Sequence, residues 1–452
     1  HQEQDIARAE VRGTFIDKKA SAETRSWVSA RENLLVIELN NSGAKSLEVS
    51  LSSFAGPVHP KEVTTSFQQG NDETSVWFTR QAEPDTASEG RTVAVVTRIL
   101  GDSIPKADKG KLVFKLKPER TVFILSSILT DKDANPPLAA AQQRAGSITC
   151  TELEVLGRSH QTWWRDFWSA SSIEIPDKVI EKHWYGALYI MASCSRAGKV
   201  PPGLFANWIT TDTPNWLGDF HLNYNYEAPF WGLFAANHVA LTENYDQPLL
   251  DTLPKAREYA RNLLNRRGLY YPVGIGPWGK ITDEGFWDQK SNASYAAVNM
   301  VMRYYHTYDK AYAEKTAYPY LKEVAAFWED YLVFENGRYM IYNDAIHEGN
   351  RADDVNPILS LGLVRMIFRA LIVMSNELNC DPDKRAGWES ILAHLSDYPT
   401  QQRSDKTVFR YTERGVDWWK DNTLGIQHVW PAGGIGLDSP PALLEIARNT
   451  ID

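Results

Sequence analysis

The sequence predicts a chain of two parts, an N-terminal antiparallel β-sandwich followed by a helical barrel. Short runs of alternating apolar residues occupy positions 11–129, whereas later stretches repeat apolar residues every three or four positions. The first period is that of half-buried strands and the second that of amphipathic helices. An Asp-Lys-Asp-Ala-Asn-Pro-Pro linker at 131–137 separates them, and 452 residues suffice for two cores. We place the sandwich at 1–130, a helical linker at 131–175 and the barrel at 176–452.

The N-terminal part is predicted to consist of short strands. Its apolar runs are separated by Asn, Asp, Gly, Ser and Pro, which favour turns, and this regular spacing is typical of a sandwich. No side chain in this part stands out as a candidate for catalysis. The clearest predicted strands are Leu34–Leu39, Leu47–Leu51, Ser75–Thr79, Arg91–Thr97, Lys111–Leu116 and Thr121–Leu125.

The C-terminal part is predicted to be helical, with Gly, Trp and acidic clusters in the loops. Loops carried by a rigid scaffold are where functional residues concentrate. An α/α barrel of helical hairpins fits this order. An open α-solenoid is the alternative, although no repeat of fixed length is found. The predicted helices are 138–168, 177–195, 228–241, 246–267, 292–308, 318–331, 356–377, 382–394 and one that begins at Pro440.

Composition narrows the class of partner. The formal charge of -9 argues against nucleic acid, whose phosphates require basic patches. No uninterrupted apolar run reaches the roughly 18 residues of a membrane span, so membrane insertion is not expected. Cys150, Cys194 and Cys380 lie too far apart for a zinc site or a disulfide framework, and we expect buried free thiols. No metal or organic cofactor is predicted, and the oligomeric state is left open.

The most informative segment is Trp216–Trp231, where polar residues alternate with aromatic ones. On an extended segment, residues at every second position project to one side. Carboxylates and amides can bind hydroxyl groups while aromatic rings cover apolar ring faces, so the row predicts a carbohydrate site. The alternative is a half-buried strand with a solvated face, although Asn and Asp are depleted in strands. The row consists of Asp219, His221, Asn223, Asn225 and Glu227.

Cleavage of a glycosidic bond requires a proton donor for the leaving oxygen and a second group at the anomeric carbon. Glu348 is the leading candidate for the donor. It follows the run 339–342, stands beside Gly349 and precedes a helix opened by Asn356-Pro357. The alternative is a solvated loop glutamate among Asp344, Asp353 and Asp354.

Two further loops carry aromatic and titratable residues. The Gly- and Trp-rich loop 276–289 contains Asp283, Glu284, Trp287 and Asp288, and it is predicted to form the rim of a sugar site. An ordinary exposed loop or a helix cap is the alternative. His428 lies in Gln-His-Val-Trp-Pro, where a site role competes with a structural one.

Four stretches occur in an order that resembles glycoside hydrolase family 95, the inverting α-L-fucosidase and α-L-galactosidase group. The Asp-x-His-x-Asn-x-Asn core of the second stretch is the most specific of them. The stretches are Pro201–Trp208, Trp216–Trp231, Glu348 with the helix Leu361–Leu371, and Trp388–Leu392 with Gln427–Gly436.

The resemblance implies that an (α/α)6 barrel is the catalytic domain of an exo-acting hydrolase, which removes a terminal sugar with inversion. Glu348 then matches the general acid, while Asn223 and Asn225 match an amide pair that holds the attacking water. Inverting enzymes leave about 6.5–9.5 Å between acid and base groups, so we expect Glu348 to lie across a cleft from the pair. The predicted substrate-binding residues are Trp208, Trp216, Asp219, His221, Glu227, Trp287 and His428.

The chain departs from the family pattern at three points. The Arg-His pair of the family reads Gln427-His428, and its Ser-Pro-Glu-Asn reads Ile346-His347-Glu348-Gly349. In the family, both of these motifs surround the terminal sugar. The sequence therefore does not identify that sugar. The assisting Asp of the family would follow His428 by many tens of residues, and the helices are fewer than six hairpins need. We therefore expect a barrel that is incomplete at the C-terminus.

The expected partner is an oligosaccharide or polysaccharide. We expect a secreted or periplasmic bacterial protein. The signal peptide is not present in this sequence, because His1–Asp5 lacks the charged and apolar regions of such a signal. Two alternatives are a carbohydrate-binding protein that has lost catalysis and a polysaccharide lyase on a related α/α scaffold.

Overall fold

A computed structural model describes residues 1–451 except 18–19, 54–64, 83–89, 109–110, 207, 210, 212–213, 347, 349–352 and 418–422. His347 and Gly349, which flank Glu348, therefore lie outside the described residues. The chain divides into two compact units. The first comprises 1–193 with 210–214, and the second comprises 194–209 with 215–452. By contacts, the residues predicted as a linker group with the strands.

The first unit contains two antiparallel sheets. Its strands are β1 (Gln2–Asp5), β2 (Glu10–Asp17), β3 (Ala20–Val28), β4 (Leu34–Asn41), β5 (Leu47–Ser52), β6 (Thr65–Asn71), β7 (Ser75–Ala82), β8 (Arg91–Gly101), β9 (Lys106–Asp108), β10 (Lys111–Leu116) and β11 (Thr121–Thr130). The larger sheet has the order β1-β2-β3-β4-β11-β8-β7-β6, and the smaller has the order β5-β10-β9.

The smaller sheet packs on one face of the larger one. The alternation of β10 places Leu112, Phe114 and Leu116 inward, where they meet Val76 and Val122 of the larger sheet. Burial of one face of each sheet is what the period-two pattern predicts, and the antiparallel sandwich is confirmed.

Helices cover the other face of the larger sheet. They are α1 (Pro137–Ser147) and α2 (Cys150–Ser169), and α3 (Lys178–Cys194) packs against α2 through Tyr185 and Tyr189. The predicted stretch 138–168 is divided because Thr149 caps α2, accepting a hydrogen bond from the Glu152 amide at 3.2 Å. The Thr-x-x-Glu spacing at this point marks the start of a helix. It was missed because the helical spacing of apolar residues continues across it.

The second unit is mainly helical, with three short hairpins. Its helices are α4 (Ala228–Ala235), α5 (Asp246–Leu264), α6 (Asn292–Thr307), α7 (Lys310–Tyr312), α8 (Tyr318–Tyr331), α9 (Ile358–Leu378), α10 (Pro382–His394) and α11 (Pro441–Ile451). The hairpins are β12 (Gly274–Ile275) with β13 (Ile281–Asp283), β14 (Val333–Glu335) with β15 (Arg338–Met340), and β16 (Thr400–Arg403) with β17 (Lys406–Phe409).

Each helix predicted in this unit is present. The stretch predicted at 228–241 ends early, at Ala235, and a 3-10 turn over Val239–Thr242 follows. Three helices stop at a residue with left-handed backbone, Asn265 after α5, Tyr308 after α6 and Asn379 after α9. Such a residue turns the chain out of the helix and satisfies its last carbonyl groups.

Helix α9 lies at the centre of the second unit. It packs against α6, α8 and α10, and most of its side chains are buried. Of the helices in the described part of the chain, α9 alone is apolar and long enough to cross a membrane, and 78% of its most apolar window is buried. Burial of this kind is found in the core helix of a globular protein.

A close approach between α9 and the turn that carries His428 predicts opposite effects for two helical glycines. A Cβ at Gly362 would lie 2.6 Å from the His428 Cβ, whereas a Cβ at Gly387 of α10 would meet nothing within 4 Å. We expect Gly362→Ala to destabilise the protein by about 1–3 kcal/mol through overpacking. Gly387→Ala should stabilise it by about 0.5–1 kcal/mol. Urea unfolding followed by tryptophan fluorescence measures both, and effects of the same sign would contradict the packing.

Candidate functional site

A pocket of about 440 Å³ in the second unit brings together distant parts of the chain. This volume lies in the usual range for small-molecule sites. The predicted site residues that line it are Trp216, His221, Asn223, Asn225 and Glu348, and the further lining residues are Tyr224, Gln289, Leu359, Thr423, Leu424 and Gln427.

The segment that carries the polar row is not a continuous strand. Phe220 and Leu222 donate backbone hydrogen bonds to Ile275 and Val273, at 2.9 and 2.8 Å, and their side chains are buried. The intervening His221 consequently faces the pocket. Positive φ angles turn the chain before this short pairing at Trp216 and Leu217, within it at His221, and after it at Asn223. The expectation that all five polar side chains project to one side is therefore wrong.

Two members of the polar row face the protein interior. Asp219 is buried beside His221, with 3.3 Å between its Oδ2 and the His221 Nδ1. Glu227 is fully buried just before α4, and within the described part of the chain neither of its carboxyl oxygens has a hydrogen-bond partner. Burial raises the pKa of Glu227 to about 8, so this carboxyl is neutral at pH 7. Neither residue lines the pocket.

One carboxyl oxygen of Glu348 is contacted by two side chains of the polar row. Its Oε1 accepts a hydrogen bond from Asn223 Nδ2 at 2.9 Å and lies 3.3 Å from His221 Nε2. Asn223 Nδ2 also donates to Gln289 Oε1 at 3.0 Å. The expected separation of Glu348 from the amide pair is thus wrong for Asn223, because a direct hydrogen bond leaves no room for water between them.

The loop of Glu348 is closed at its base by Asn356. Ile341 donates its amide to Asn356 Oδ1 and accepts the Asn356 amide, both at 2.8 Å. Within the loop, Asp344 is fully buried and accepts the Lys290 amide at 2.7 Å. Asp354 is also fully buried and accepts the Val416 amide at 3.1 Å. These two carboxylates are structural, whereas Asp353 is exposed.

The turn that presents Gln289 is held to the same loop. Trp287 and Asp288 have positive φ angles of 44° and 61°, which sharpen the turn. Asp288 accepts the Ala345 amide at 3.1 Å through its carbonyl oxygen. The contact places Gln289 within reach of Asn223. Of the predicted rim, neither Asp283 nor Asp288 lines the pocket.

The charge on His221 is set by two carboxylates. Burial alone would lower the pKa of His221, but its hydrogen bonds to Asp219 and Glu348 raise that pKa to about 9. Burial raises the pKa of Asp219, an effect that exceeds the opposing hydrogen bond to His221. At neutral pH the ring is therefore an imidazolium. Over the described residues, no group of three His, Cys, Asp or Glu side chains is arranged to hold a metal.

Aromatic rings border the pocket unevenly. Trp216 is 57% exposed, stacks on Phe205 at a centroid distance of 6.2 Å and lies 6.0 Å from the His221 ring. Trp287 lies 6.3 Å from His221. Trp208 is exposed and does not line the pocket. Of the predicted tryptophans, Trp216 is thus the one placed to stack on a ligand.

His428 lies in the core of the second unit. Its ring is 0% exposed and is packed between Tyr398 and Phe409, with centroid distances of 4.5 and 4.4 Å. Neither ring nitrogen has a hydrogen-bond partner among the residues described. Burial, assisted by the positive charge of Arg365, lowers the pKa of His428 to about 3. The pocket is lined instead by Gln427, so His428 does not join the site residues brought together here.

Sequence reasoning missed Gln289 as a pocket residue. It stands at the end of the loop that was predicted as a rim, just before the buried start of α6. A polar residue between a Trp-rich loop and an apolar helix was the available signal. The sequence around Leu359 and Leu424 gave no signal of a pocket. Leucines at the start of a helix, such as α9 for Leu359 or the 3-10 turn 423–426 for Leu424, are ordinary core residues.

Comparisons with known proteins identify the family and the fold of this chain. A profile of the glycosyl hydrolase family 95 catalytic domain matches residues 172–413, more than half of the chain. A curated protein named "Probable alpha-fucosidase A" from Aspergillus niger is 29% identical over 167 residues. That match covers 34% of this chain and 20% of the relative, so the chain spans about a fifth of its length.

A solved structure described as "Putative kojibiose phosphorylase from human microbiome" matches this chain with a TM-score of 0.63 and 12% identity. The match covers 91% of this chain and 58% of the chain in that structure. At this identity the likeness concerns the fold. It confirms the predicted combination of an N-terminal β domain with an (α/α)6-type helical domain.

The buried neutral ring of His428 predicts a loss of stability in acid. The stabilisation is fully present above pH 6.5, the ordinary pKa, and declines below it because only the unfolded chain takes up the proton until about pH 3. Between pH 7 and pH 5, protonation of this histidine in the unfolded chain should lower the free energy of unfolding by about 2 kcal/mol. His428→Leu should reduce the difference between urea unfolding at the two pH values by that amount. The exposed His183→Leu is the control, and an equal change in both variants would contradict the assignment.

Proposed function

Since this chain belongs to glycosyl hydrolase family 95, we propose that it is an exo-acting glycoside hydrolase, which removes a terminal sugar from an oligosaccharide or polysaccharide with inversion. The observation that carries the proposal is the placement of Glu348 at the pocket, with one oxygen held by Asn223 and His221. A carboxyl fixed in this way at a polar pocket is suited to proton transfer.

The pocket supports exo action. Its volume of about 440 Å³ lies in the range of small-molecule sites, so a terminal sugar fits inside it. Amides, an acid and an imidazolium meet the hydroxyl groups, and Trp216 offers a stacking face. A terminal sugar can enter such a pocket while the remainder of the glycan stays outside.

Glu348 acts as the general acid in this proposal. Its Oε1 already accepts two N–H groups, so the transferable proton resides on Oε2. In the reaction, the Oε2–H bond breaks as the proton bonds to the glycosidic oxygen. The electron pair of the O–H bond stays on the carboxylate, and the bond from the glycosidic oxygen to the anomeric carbon breaks with its electron pair on that oxygen. The oxygen of the attacking water bonds to the anomeric carbon, and the proton that the water loses passes to the solvent.

The attacking water is assigned to Asn225. Asn223 uses its Nδ2 group on Glu348 and Gln289, so it holds the acid and stands too close to it to position a water on the opposite face. Asn225 lines the same pocket, and its carboxamide oxygen can accept a hydrogen bond from water. The proposed water-holding pair is thereby reduced to Asn225.

Loss of the acid should depend on the leaving group. With a panel of aryl glycosides, Glu348→Gln should lower kcat at least about 100-fold on substrates with poor leaving groups, because their oxygen needs the proton. Activated dinitrophenyl glycosides should lose much less. Proton NMR of the first product should show the inverted anomer. Equal losses on both classes of substrate would contradict the acid role, and no turnover of any glycoside by the unaltered protein would favour the carbohydrate-binding alternative.

Substitutions of Asn225 and Trp216 should change different kinetic constants. Asn225→Ala should lower kcat with little change in KM, because a water-holding group acts in the transition state. Trp216→Ala should mainly raise KM, since a stacking face binds ground and transition states alike. The exposed Trp278→Ala is the matched control. If Asn225→Ala resembles Trp216→Ala, Asn225 binds the sugar and does not hold water.

A further inference from the structure

Three titratable side chains form a row from the interior of the second unit to the pocket. Their side-chain exposure rises along the row, from 1% for Asp219 to 8% for His221 and 32% for Glu348. Neighbouring members are 3.3 Å apart at Asp219 Oδ2 and His221 Nδ1, and again at His221 Nε2 and Glu348 Oε1. A histidine ring can donate from both nitrogens only when it carries both protons.

We propose that Asp219 is a positioning residue that acts on Glu348 through His221. The proposal rests on the acid role of Glu348 given above. Asp219 accepts the Nδ1–H of His221, which orients the ring and favours the imidazolium, and the Nε2–H is then directed at Glu348 Oε1. A buried acceptor behind the ring is the arrangement by which proteins fix the orientation of a histidine.

This row determines what happens when Glu348 gives up its proton. The proton leaves Oε2 for the glycosidic oxygen, and the carboxylate keeps the electron pair. Its new charge is met by the imidazolium of His221 and by the N–H of Asn223, which already point at Oε1. Donors placed in advance where charge develops stabilise the transition state without further reorganisation.

The surroundings of His221 support a lasting positive charge. Asp219 and Glu348 face it directly, the buried Glu227 is neutral at pH 7, and the exposed Asp283 acts on Asp219. The rings of Trp216 and Trp287 cover its sides and carry no charge. No cation appears among the principal influences on its protonation. The pKa of about 9 agrees with this geometry.

The decisive measurement is the titration of the His221 ring by 15N NMR, without any ligand. His221→Gln identifies the resonances by their loss. In Glu348→Gln, one acceptor loses its charge, and Asp219 alone should keep the His221 pKa above the ordinary 6.5. A value at or below 6.5 in this variant would overturn the proposal. The change is confined to a pocket side chain, so the test does not depend on substituting a buried residue.

Asp219→Asn provides the complementary test. The His221 pKa should fall by about 1–3 pH units, the range for losing an opposite charge at this distance. Asp283→Asn is the matched control, since the exposed Asp283 makes no hydrogen bond to His221, and it should change the value by less than about 0.5 pH unit. Equal changes in the two variants would show that Asp219 acts only as a distant charge.

Activity gives a second readout. When His221 becomes neutral, Glu348 loses a cationic neighbour and its pKa rises, so the basic limb of kcat/KM should move to higher pH in Asp219→Asn. If Asp219 had only a structural role, Asp219→Asn would lower the rate at every pH and leave the basic limb of kcat/KM in place. If the NMR results hold while the unaltered protein hydrolyses no glycoside, the coupling stands and the proposed hydrolase function fails.

Discussion

The pocket is organised around a single atom, the Oε1 oxygen of Glu348. Asn223 and His221 reach it from one segment, and Gln289 is drawn in through Asn223. The hydrogen bonds join parts of the chain that are more than 120 positions apart. Folding of the second unit therefore has to bring these segments together before Glu348 can accept either hydrogen bond.

Two buried histidines of the second unit have opposite charge states. His221 is surrounded by carboxylates and carries a charge, whereas His428 is enclosed by aromatic rings and stays neutral. Desolvation acts on both in the same direction, so the difference comes from their neighbours. Glu227 follows the second pattern as a carboxyl that burial keeps protonated. The charge state of each group is thus decided by partners that lie elsewhere in the sequence.

The predictions from sequence succeeded where the pattern is local. The helices of the second unit and six strands of the first follow from apolar periodicity, and Thr149 marks a break that the period obscured. The polar row was recognised, but its geometry was not. The pairing of Phe220 and Leu222 with residues 273–275 and the positive φ at His221 depend on distant backbone. The inward placement of His428 likewise depends on the close approach of Gly362.

The reciprocal hydrogen bonds between Ile341 and Asn356 have a consequence for divergence among relatives. They join the two ends of the Glu348 loop, and the buried Asp344 and Asp354 add hydrogen bonds to neighbouring segments, so the hairpin before the loop and α9 after it are held by residues other than those next to Glu348. Changes in loop length or composition can then be sampled without disturbing the central helix. A lineage could alter the sugar that is recognised beside Glu348 while inheriting the same scaffold, since selection on the loop and selection on the core act on separate residues.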